Sequence, residues 1–351
     1  MLSRMSQSGG SILGDPCFIT KSLFLFSAMQ HALRPLPAPP SDFYVPSNLT
    51  YLNAATLGPC PRFVVEGATK DWELLESNPA NEYFGMFTLD PFVTRQDAVR
   101  RRVAEYIGAP ADTVALVPST TIGLNTVADG LISSGFLSEG DVVLTSDQEH
   151  AGGYVNWLHY ANCTDELRRA NWCSSAPELH GARVRPIALH IVPIPVTPAS
   201  SAPSTDDDVL ALFHAALATQ PRTKVVAVSH VTTTHGMVLP IAKLAVLAHA
   251  HGALLVVDGA QAMGMAVNVT ELGADVYATS AHKWLLAPKG SGVLFVGEGA
   301  RPHVAALYTR RKSEPYLKLL FSCLNPPHLN LNLLTSTSTA PIISASSPDP
   351  D

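Results

Sequence analysis

Short apolar runs rich in β-branched residues recur along this chain and alternate with longer stretches of helical character. The runs lie at residues 114–117, 141–145, 224–229, 253–258, 275–280 and 292–296. The clearest helical stretch, residues 239–252, has proline near its start, alanine and leucine through its body and glycine at its end. Because continuous apolar strands separated by helices need cover on both faces, the pattern predicts an α/β fold with a doubly wound, mainly parallel sheet.

The composition supports a sizeable core and excludes several functions. Hydrophobic residues make up 46% of the 351 residues and charged residues only 15%. The net charge of −6 argues against a nucleic-acid-binding protein, and the absence of a long apolar run predicts no membrane association. Five dispersed cysteines without zinc spacing predict no metal site and fit a reducing compartment. We therefore expect a cytoplasmic location, with organelle targeting by the N-terminal arm as the alternative.

The chain divides into three parts by composition. Residues 1–45 are rich in Ser, Pro and Gly and predict a flexible N-terminal arm. Residues 46–305 carry the strand and helix pattern, interrupted by an insertion-like region from Asn171 to Thr205 with several Pro and Ser residues. Residues 306–351 lack the pattern, and we expect an atypical, disordered tail there.

Polar side chains follow several predicted strands, at the edge where open α/β sheets bind ligands. Thr120 and Thr121 begin a helical run and could bind a phosphate, although an ordinary helix cap is the simpler explanation of the pair alone. His150 could be a surface or capping residue or could stack on a flat cofactor ring. Asp258 ends an apolar strand, so its carboxylate needs a partner such as a cationic ring nitrogen, an arginine or a helix N-terminus.

The stretch SAHKWLLAPKGSG adds an amine to this set. Ser280 and His282 alternate and can face the same side, and Lys283 follows them. An amine held among apolar segments can have a lowered pKa and attack an aldehyde, although a lone lysine is more often solvated. Phosphate donors, an imidazole, a buried carboxylate and an amine at successive strand ends are the groups needed to hold pyridoxal phosphate.

Four motifs, STTIGLN, EH, VDGAQ and SAHKW, occur in the order found in one known family. On these motifs the chain resembles the class V aminotransferase group of fold-type I pyridoxal-phosphate enzymes, which includes isopenicillin N epimerase-like proteins and cysteine desulfurases. The resemblance runs from about residue 51 to about residue 296. It implies the fold-type I architecture, pyridoxal 5'-phosphate as cofactor, an amino acid or related amine as substrate, and a homodimer.

The resemblance also implies roles for the residues around the cofactor ring. Lys283 would form the Schiff base, Asp258 would pair with the ring nitrogen, and Gln261 would reach the phenolic oxygen of the ring. His150 would stack on the face of the ring. Lys289 matches no catalytic position and is expected to be structural.

Further positions are assigned to the phosphate and the substrate. The resemblance implies that the phosphate is held by Thr120, Thr121, Ser280 and His282. Asn53 lies in the segment that approaches the substrate in this family, and His230 is expected to line the pocket.

The reaction and the completeness of the chain stay open on the sequence alone. Epimerisation, transamination and carbon–sulfur lyase chemistry all fit, and the segment YLNAATLGP favours the epimerase-like branch. Family members continue into a small C-terminal domain with a carboxylate-binding arginine, and we find neither here, which predicts a truncated chain with a non-catalytic protein as the alternative function. Cys323 lacks the setting of a desulfurase cysteine, and a nicotinamide-binding domain is excluded because no GxGxxG comes after the first strand.

Overall fold

The computed structural model describes residues 40–78, 95–162, 164–171, 187–196 and 205–304. The predicted tail at 306–351, Cys323, and residues 1–39 of the predicted arm lie outside these residues. Within them, seven strands form one sheet: β1 (Val114–Val117), β2 (Val142–Ser146), β3 (Ala188–Val192), β4 (Thr223–Ser229), β5 (Leu254–Asp258), β6 (Val276–Ser280) and β7 (Gly292–Val296).

Seven α-helices accompany the strands in the described part of the chain. They are α1 (Arg62–Ser77), α2 (Arg95–Tyr106), α3 (Thr120–Ser133), α4 (Ala151–Leu158), α5 (Asp165–Arg169), α6 (Asp206–Thr219) and α7 (Ile241–Ala250). Short 3-10 turns occupy Pro40–Asp42 and Ala111–Thr113. None of these helices is long and apolar enough to cross a membrane.

The sheet is mainly parallel, as predicted, with one reversed strand. Its order is β1-β7-β6-β5-β4-β2-β3, and β3, β2, β4, β5 and β6 are parallel neighbours. Strand β7 runs antiparallel to both β6 and β1. The reversal is explained by the connection, because residues 281–291 contain no helix and a parallel pair would need a longer crossover.

The region predicted as an insertion contributes to the sheet. Strand β3 lies within it and pairs with β2 at the edge of the sheet, from Ala188 opposite Val142 to Val192 opposite Ser146. The Pro and Ser residues around it obscured a run of only five residues in the sequence. The predicted insertion therefore includes an edge strand, which the sequence pattern did not indicate.

Both faces of the sheet are covered, as a doubly wound fold requires. On the first face, α6 and α7 pack against the strands through buried residues that include Phe213, Leu244, Leu144, Val226 and Val257. On the second face, α3 and α4 do the same through residues that include Leu124, Trp157, Val143, Ala227 and Val256. The side chains of one strand alternate between these two layers, so a strand-end residue is assigned to a face by its position.

Candidate active site

The carboxyl ends of β2, β5 and β6 meet the beginnings of α3 and α4 on the second face. Asp258 is the last residue of β5 and is buried, with 7% of its surface exposed. Its Oδ1 accepts a hydrogen bond from the backbone N–H of Ala260 at 2.9 Å. Asp258 therefore has one backbone donor, whereas its burial disfavours the charged form.

Thr120 and Ser280 join the start of α3 to the end of β6. The backbone N–H of Thr120 donates to Ser280 Oγ at 3.0 Å, and the two hydroxyl oxygens lie 2.8 Å apart. Both residues are buried, whereas Thr121 is exposed beside them. Backbone donors and hydroxyls at the beginning of a 14-residue helix form an arrangement that suits an anion.

The beginning of α4 approaches the same place. His150 caps this helix, and its Nδ1 accepts from the Gly152 N–H at 3.0 Å, which leaves the proton of a neutral ring on Nε2. A Cβ at Gly152 would lie 2.5 Å from Thr121 Oγ1, and a Cβ at Gly153 would lie 3.0 Å from Asp258 Oδ2. The two glycines thus allow the α4 backbone to come close to both side chains.

Lys283 and Asp258 influence each other's charge across this site. Burial lowers the pKa of the half-buried Lys283 amine, and the charge of Asp258 partly opposes that shift. Burial raises the pKa of the Asp258 carboxyl, while the Ala260 N–H and the charges of Lys283 and His150 lower it. An amine with a lowered pKa has a larger neutral fraction, which is the form that attacks an aldehyde.

His282 lies in the loop between β6 and β7. Its Nδ1 donates to the Ser291 carbonyl at 3.1 Å, so the ring is tied to the far end of the loop, beside β7. Ser280 precedes it at the end of β6. Ser280, His282 and Lys283 therefore lie together at the carboxyl end of β6.

Gln261 makes different contacts from the one the resemblance implies. Its Nε2 donates to the Ala55 carbonyl at 3.0 Å, and its Oε1 accepts from Trp284 Nε1 at 2.7 Å. Asn53 is exposed in the same N-terminal segment, where its carbonyl accepts from the backbone N–H of Leu57 at 3.3 Å. Contact of Gln261 with a cofactor ring and of Asn53 with a substrate stay predictions.

His230 lies on the other face of the sheet from these residues. Its Nδ1 is 2.8 Å from the hydroxyl of Tyr277, which belongs to the buried core of the first face. Burial lowers the pKa of His230 to about 4, so the ring is neutral near pH 7. The structure does not bring this side chain together with Lys283, and its predicted place near the substrate stays untested.

The donor set fits the groups of pyridoxal phosphate. Helix N-termini and hydroxyls suit its phosphate, buried Asp258 suits a protonated ring nitrogen, and the Lys283 amine suits its aldehyde. No group of three or more metal-ligating side chains occurs in the described ranges.

The family model of the aminotransferase class-V family matches residues 50–171 and 199–309, which include the site and every strand of the sheet except β3. The chain belongs to the aminotransferase class-V family. It is 33% identical over 252 residues to isopenicillin N epimerase of Amycolatopsis lactamdurans, covering 71% of this chain and 54% of that protein. It is also 33% identical over 250 residues to a probable cysteine desulfurase of Vibrio cholerae, covering 70% and 53%.

A solved structure shares the class V fold. The cysteine desulfurase CsdA of Escherichia coli matches with a TM-score of 0.54 and 25% identity, covering 74% of this chain and 57% of that one. The predicted membership of the class V family and the fold-type I architecture are thereby confirmed. The chain spans about half the length of the curated relatives it matches, 54% and 53% for the two named above.

Two residues of the quoted motifs EH and SAHKW, to which the sequence assigned no role, have defined places near this class V site. The Glu149 carboxylate accepts from the hydroxyls of Ser146 and Ser229, each at 2.6 Å. Burial raises the pKa of Glu149 to about 7, the two hydroxyls oppose the shift, and the charge of Asp258 adds to it. Trp284, next to Lys283, holds the Gln261 amide. The signal for Glu149 was its position, one residue before His150 at a strand end.

Proposed function

We propose that this protein is a pyridoxal-phosphate-dependent enzyme that acts on an amino acid or related amine through Lys283. The observation that carries the proposal is a half-buried amine of lowered pKa that interacts electrostatically with the buried Asp258 carboxylate, with the hydroxyls of Thr120 and Ser280 at the start of α3 in the same site. When bound, the cofactor would supply a ring that accepts electrons from a substrate carbanion. The relatives are named as enzymes, which does not favour the non-catalytic alternative.

Each residue of the site has a stated task in this proposal. Lys283 holds the cofactor and then, as a free amine, removes and returns a proton at the substrate. Asp258 keeps the ring nitrogen protonated, and His150 covers the ring. The phosphate is held by Thr120, Thr121, Ser280 and His282, and the ring oxygen by Gln261.

The substrate class is an amino acid, and the reaction is one of three. Epimerisation, amine transfer and carbon–sulfur bond cleavage start from the same loss of a group at the substrate α-carbon and differ in their later steps. One relative is named an epimerase and another a probable desulfurase, which supports both of those outcomes for this chain. A screen of single amino acids for the opposite enantiomer, the oxo acid and sulfide distinguishes the three.

We further propose that residues 46–305 form the cofactor-binding domain and that the protein is a homodimer. Two aromatic side chains of α1, Phe63 and Trp72, are 72% and 65% exposed, and a second copy of the chain would cover them. Light scattering at micromolar concentration tests the dimer, and a monomer would contradict it. A flexible arm at 1–45, a disordered tail at 306–351 and a cytoplasmic location stay predictions, which limited proteolysis and cell fractionation test.

The cofactor proposal is tested by absorbance spectroscopy. The wild-type protein mixed with pyridoxal phosphate should gain a visible band that borohydride removes. Peptide mass spectrometry should then find the reduced cofactor, as a covalent label, on Lys283. Lys283→Ala should lack both. Lys224→Ala, at an exposed position of β4, should keep both. A wild-type protein without the band, or a label on another lysine, would contradict the proposal.

A further inference from the structure

The two lysines of the loop between β6 and β7 have different surroundings. Lys283 is half-buried near Asp258, whereas Lys289 is exposed at the other end of the loop. The Lys289 ammonium donates to the backbone carbonyl of Gly58 at 2.5 Å. A lysine from the loop thus contacts the N-terminal segment, 231 positions away in the sequence.

Gly58 also makes a backbone contact with the loop, next to Lys283. Its N–H donates to the His282 carbonyl at 2.9 Å. A Cβ at Gly58 would lie 1.9 Å from the Lys283 carbonyl oxygen, which no side chain could tolerate. Both backbone polar groups of Gly58 are therefore held by the loop that carries Lys283, and only glycine fits between them.

The segment that contains Gly58 is folded on itself. The Tyr51 hydroxyl donates to the Leu57 carbonyl at 2.7 Å, and the N–H groups of Thr56 and Leu57 both point to the Asn53 carbonyl. We call residues 51–58 the N-terminal clip. A second anchor holds it, because Ala55 accepts the hydrogen bond from Gln261. A clip fixed at two points can hold the loop in one position.

The loop itself is in a conformation that needs such support. Leu286 has a φ of 55°, in the left-handed region that residues other than glycine rarely occupy. Its N–H donates to the Lys283 carbonyl at 3.2 Å, so the strained turn closes directly on the reactive lysine. Strained residues of this kind persist where the surrounding contacts hold them.

We propose that Lys289 is a positioning residue, which holds the N-terminal clip on the Lys283 peptide through Gly58 and so keeps the Lys283 amine buried at its place in the site. The inference rests on the proposed function only in taking Lys283 as the reactive amine. Without the ammonium of Lys289, the Gly58 anchor keeps only its hydrogen bond to the His282 carbonyl. The clip is then held more weakly, water reaches the loop, and the Lys283 amine becomes more exposed. Because burial lowers the pKa of this amine, exposure raises it.

The experiment uses the protein without added cofactor and compares three variants. Lys289→Met removes the charge and the donor at similar length, Lys289→Arg restores a donor, and Lys224→Met makes the same change at an exposed position of β4. Hydrogen exchange of peptides that cover the clip reports its attachment. The pH dependence of Lys283 acetylation, measured by mass spectrometry, reports the pKa of its amine.

We expect Lys289→Met to accelerate exchange in the clip about tenfold, as for the loss of one charge-assisted hydrogen bond, and to raise the pKa of Lys283. Lys289→Arg, which keeps a charged donor, should show smaller changes in clip exchange and in the pKa of Lys283 than Lys289→Met. Lys224→Met should show neither change. Wild-type values in Lys289→Met, or faster exchange with an unchanged pKa of Lys283, would overturn the proposal.

A glycine pair gives a second test that leaves all charges in place. Gly58→Ala should produce the same two changes as Lys289→Met, because the added Cβ displaces the clip. Gly67→Ala, in the exposed helix α1 with nothing near the new Cβ, is the matched control and should produce neither. Similar values for the two variants would overturn the proposal. Failure of wild-type protein to bind pyridoxal phosphate would leave these measurements unaffected.

Discussion

The carboxylate of Glu149 lies 2.6 Å from the hydroxyl of Ser229 and so ties the loop before α4 to the end of β4. The same carboxylate is 2.6 Å from the hydroxyl of Ser146 at the end of β2. Glu149 thus fixes the position of its neighbour His150 relative to two strands of the sheet. Its buried setting, near Asp258, makes its ionisation depend on folding.

We expect the contribution of Glu149 to stability to fall as pH rises. Burial raises the pKa of Glu149 to about 7, against 4.5 ordinarily. As pH rises, the unfolded chain therefore releases this proton before the folded protein does, and the free energy of unfolding falls between those two pH values. A shift of that size corresponds to at most about 3 kcal/mol. Glu149→Gln keeps the shape and cannot ionise, so its free energy of unfolding relative to wild type should increase between about pH 5 and about pH 8.

Urea denaturation at the two pH values measures this difference. The lowered pKa of His230 makes stability rise with pH below its ordinary pKa of 6.5, opposite to the effect of Glu149. Because His230 is present in both proteins, its effect cancels when their free energies of unfolding are compared. Glu139→Gln, at an exposed loop carboxylate, should differ from wild type equally at both values. An advantage of Glu149→Gln that does not change with pH would contradict the assignment.

Gly153→Ala should weaken cofactor binding. The new Cβ would lie 3.0 Å from Asp258 Oδ2, so either the carboxylate or the start of α4 has to move by a few tenths of an ångström. Because Asp258 is the proposed partner of the ring nitrogen, we expect about a tenfold loss of affinity for pyridoxal phosphate, equal to about 1.4 kcal/mol. Titration of the visible band measures it, with Gly67→Ala as the control. Equal affinity in the two variants would contradict the prediction.

Ser280→Ala should affect both stability and phosphate binding. The substitution leaves the buried N–H of Thr120 without its acceptor, which costs about 1–3 kcal/mol. It also removes a hydroxyl proposed to hold the phosphate. Denaturation and competition by inorganic phosphate for the cofactor measure the two effects. Ser134→Ala, at the far end of α3, should lower stability slightly and leave phosphate competition unchanged. An unchanged phosphate competition in Ser280→Ala would remove Ser280 from the anion site.

Most strands of this fold can be predicted from local sequence, whereas the exceptions depend on neighbours distant in the chain. Strand β5 is apolar from Leu254 to Val257 because both of its faces are buried, and that signal is visible in one window of the sequence. Strand β3 is short, lies at the edge and has Pro and Ser around it, so its pattern does not stand out. The reversal of β7 depends on the loop 281–291, which contains no helix, and no periodic pattern in the sequence shows that a helix is absent.

The site shows the same division. Asp258 and Ser280 could be predicted because each ends a strand, and the ends of neighbouring strands meet. The contact between Gly58 and Lys289 could not, because nothing in either local pattern shows that residues 231 positions apart come together. The face on which His230 lies could have been predicted from the alternation of side chains along β4. It comes directly after Ser229 and therefore faces the layer opposite to that of Ser229.

The last prediction separates a structural His230 from one that contacts the substrate. Tyr277→Phe removes only the hydroxyl that lies 2.8 Å from His230 Nδ1, so the buried ring loses its partner. We expect the free energy of unfolding to fall by about 1–3 kcal/mol, while the KM for the amino acid substrate stays within about twofold of wild type. Tyr106→Phe, which removes a 3.3 Å hydrogen bond of an exposed tyrosine, should change neither clearly. A rise in KM of tenfold or more at unchanged stability would instead support the predicted contact between His230 and the substrate, since the first face would then communicate with the pocket.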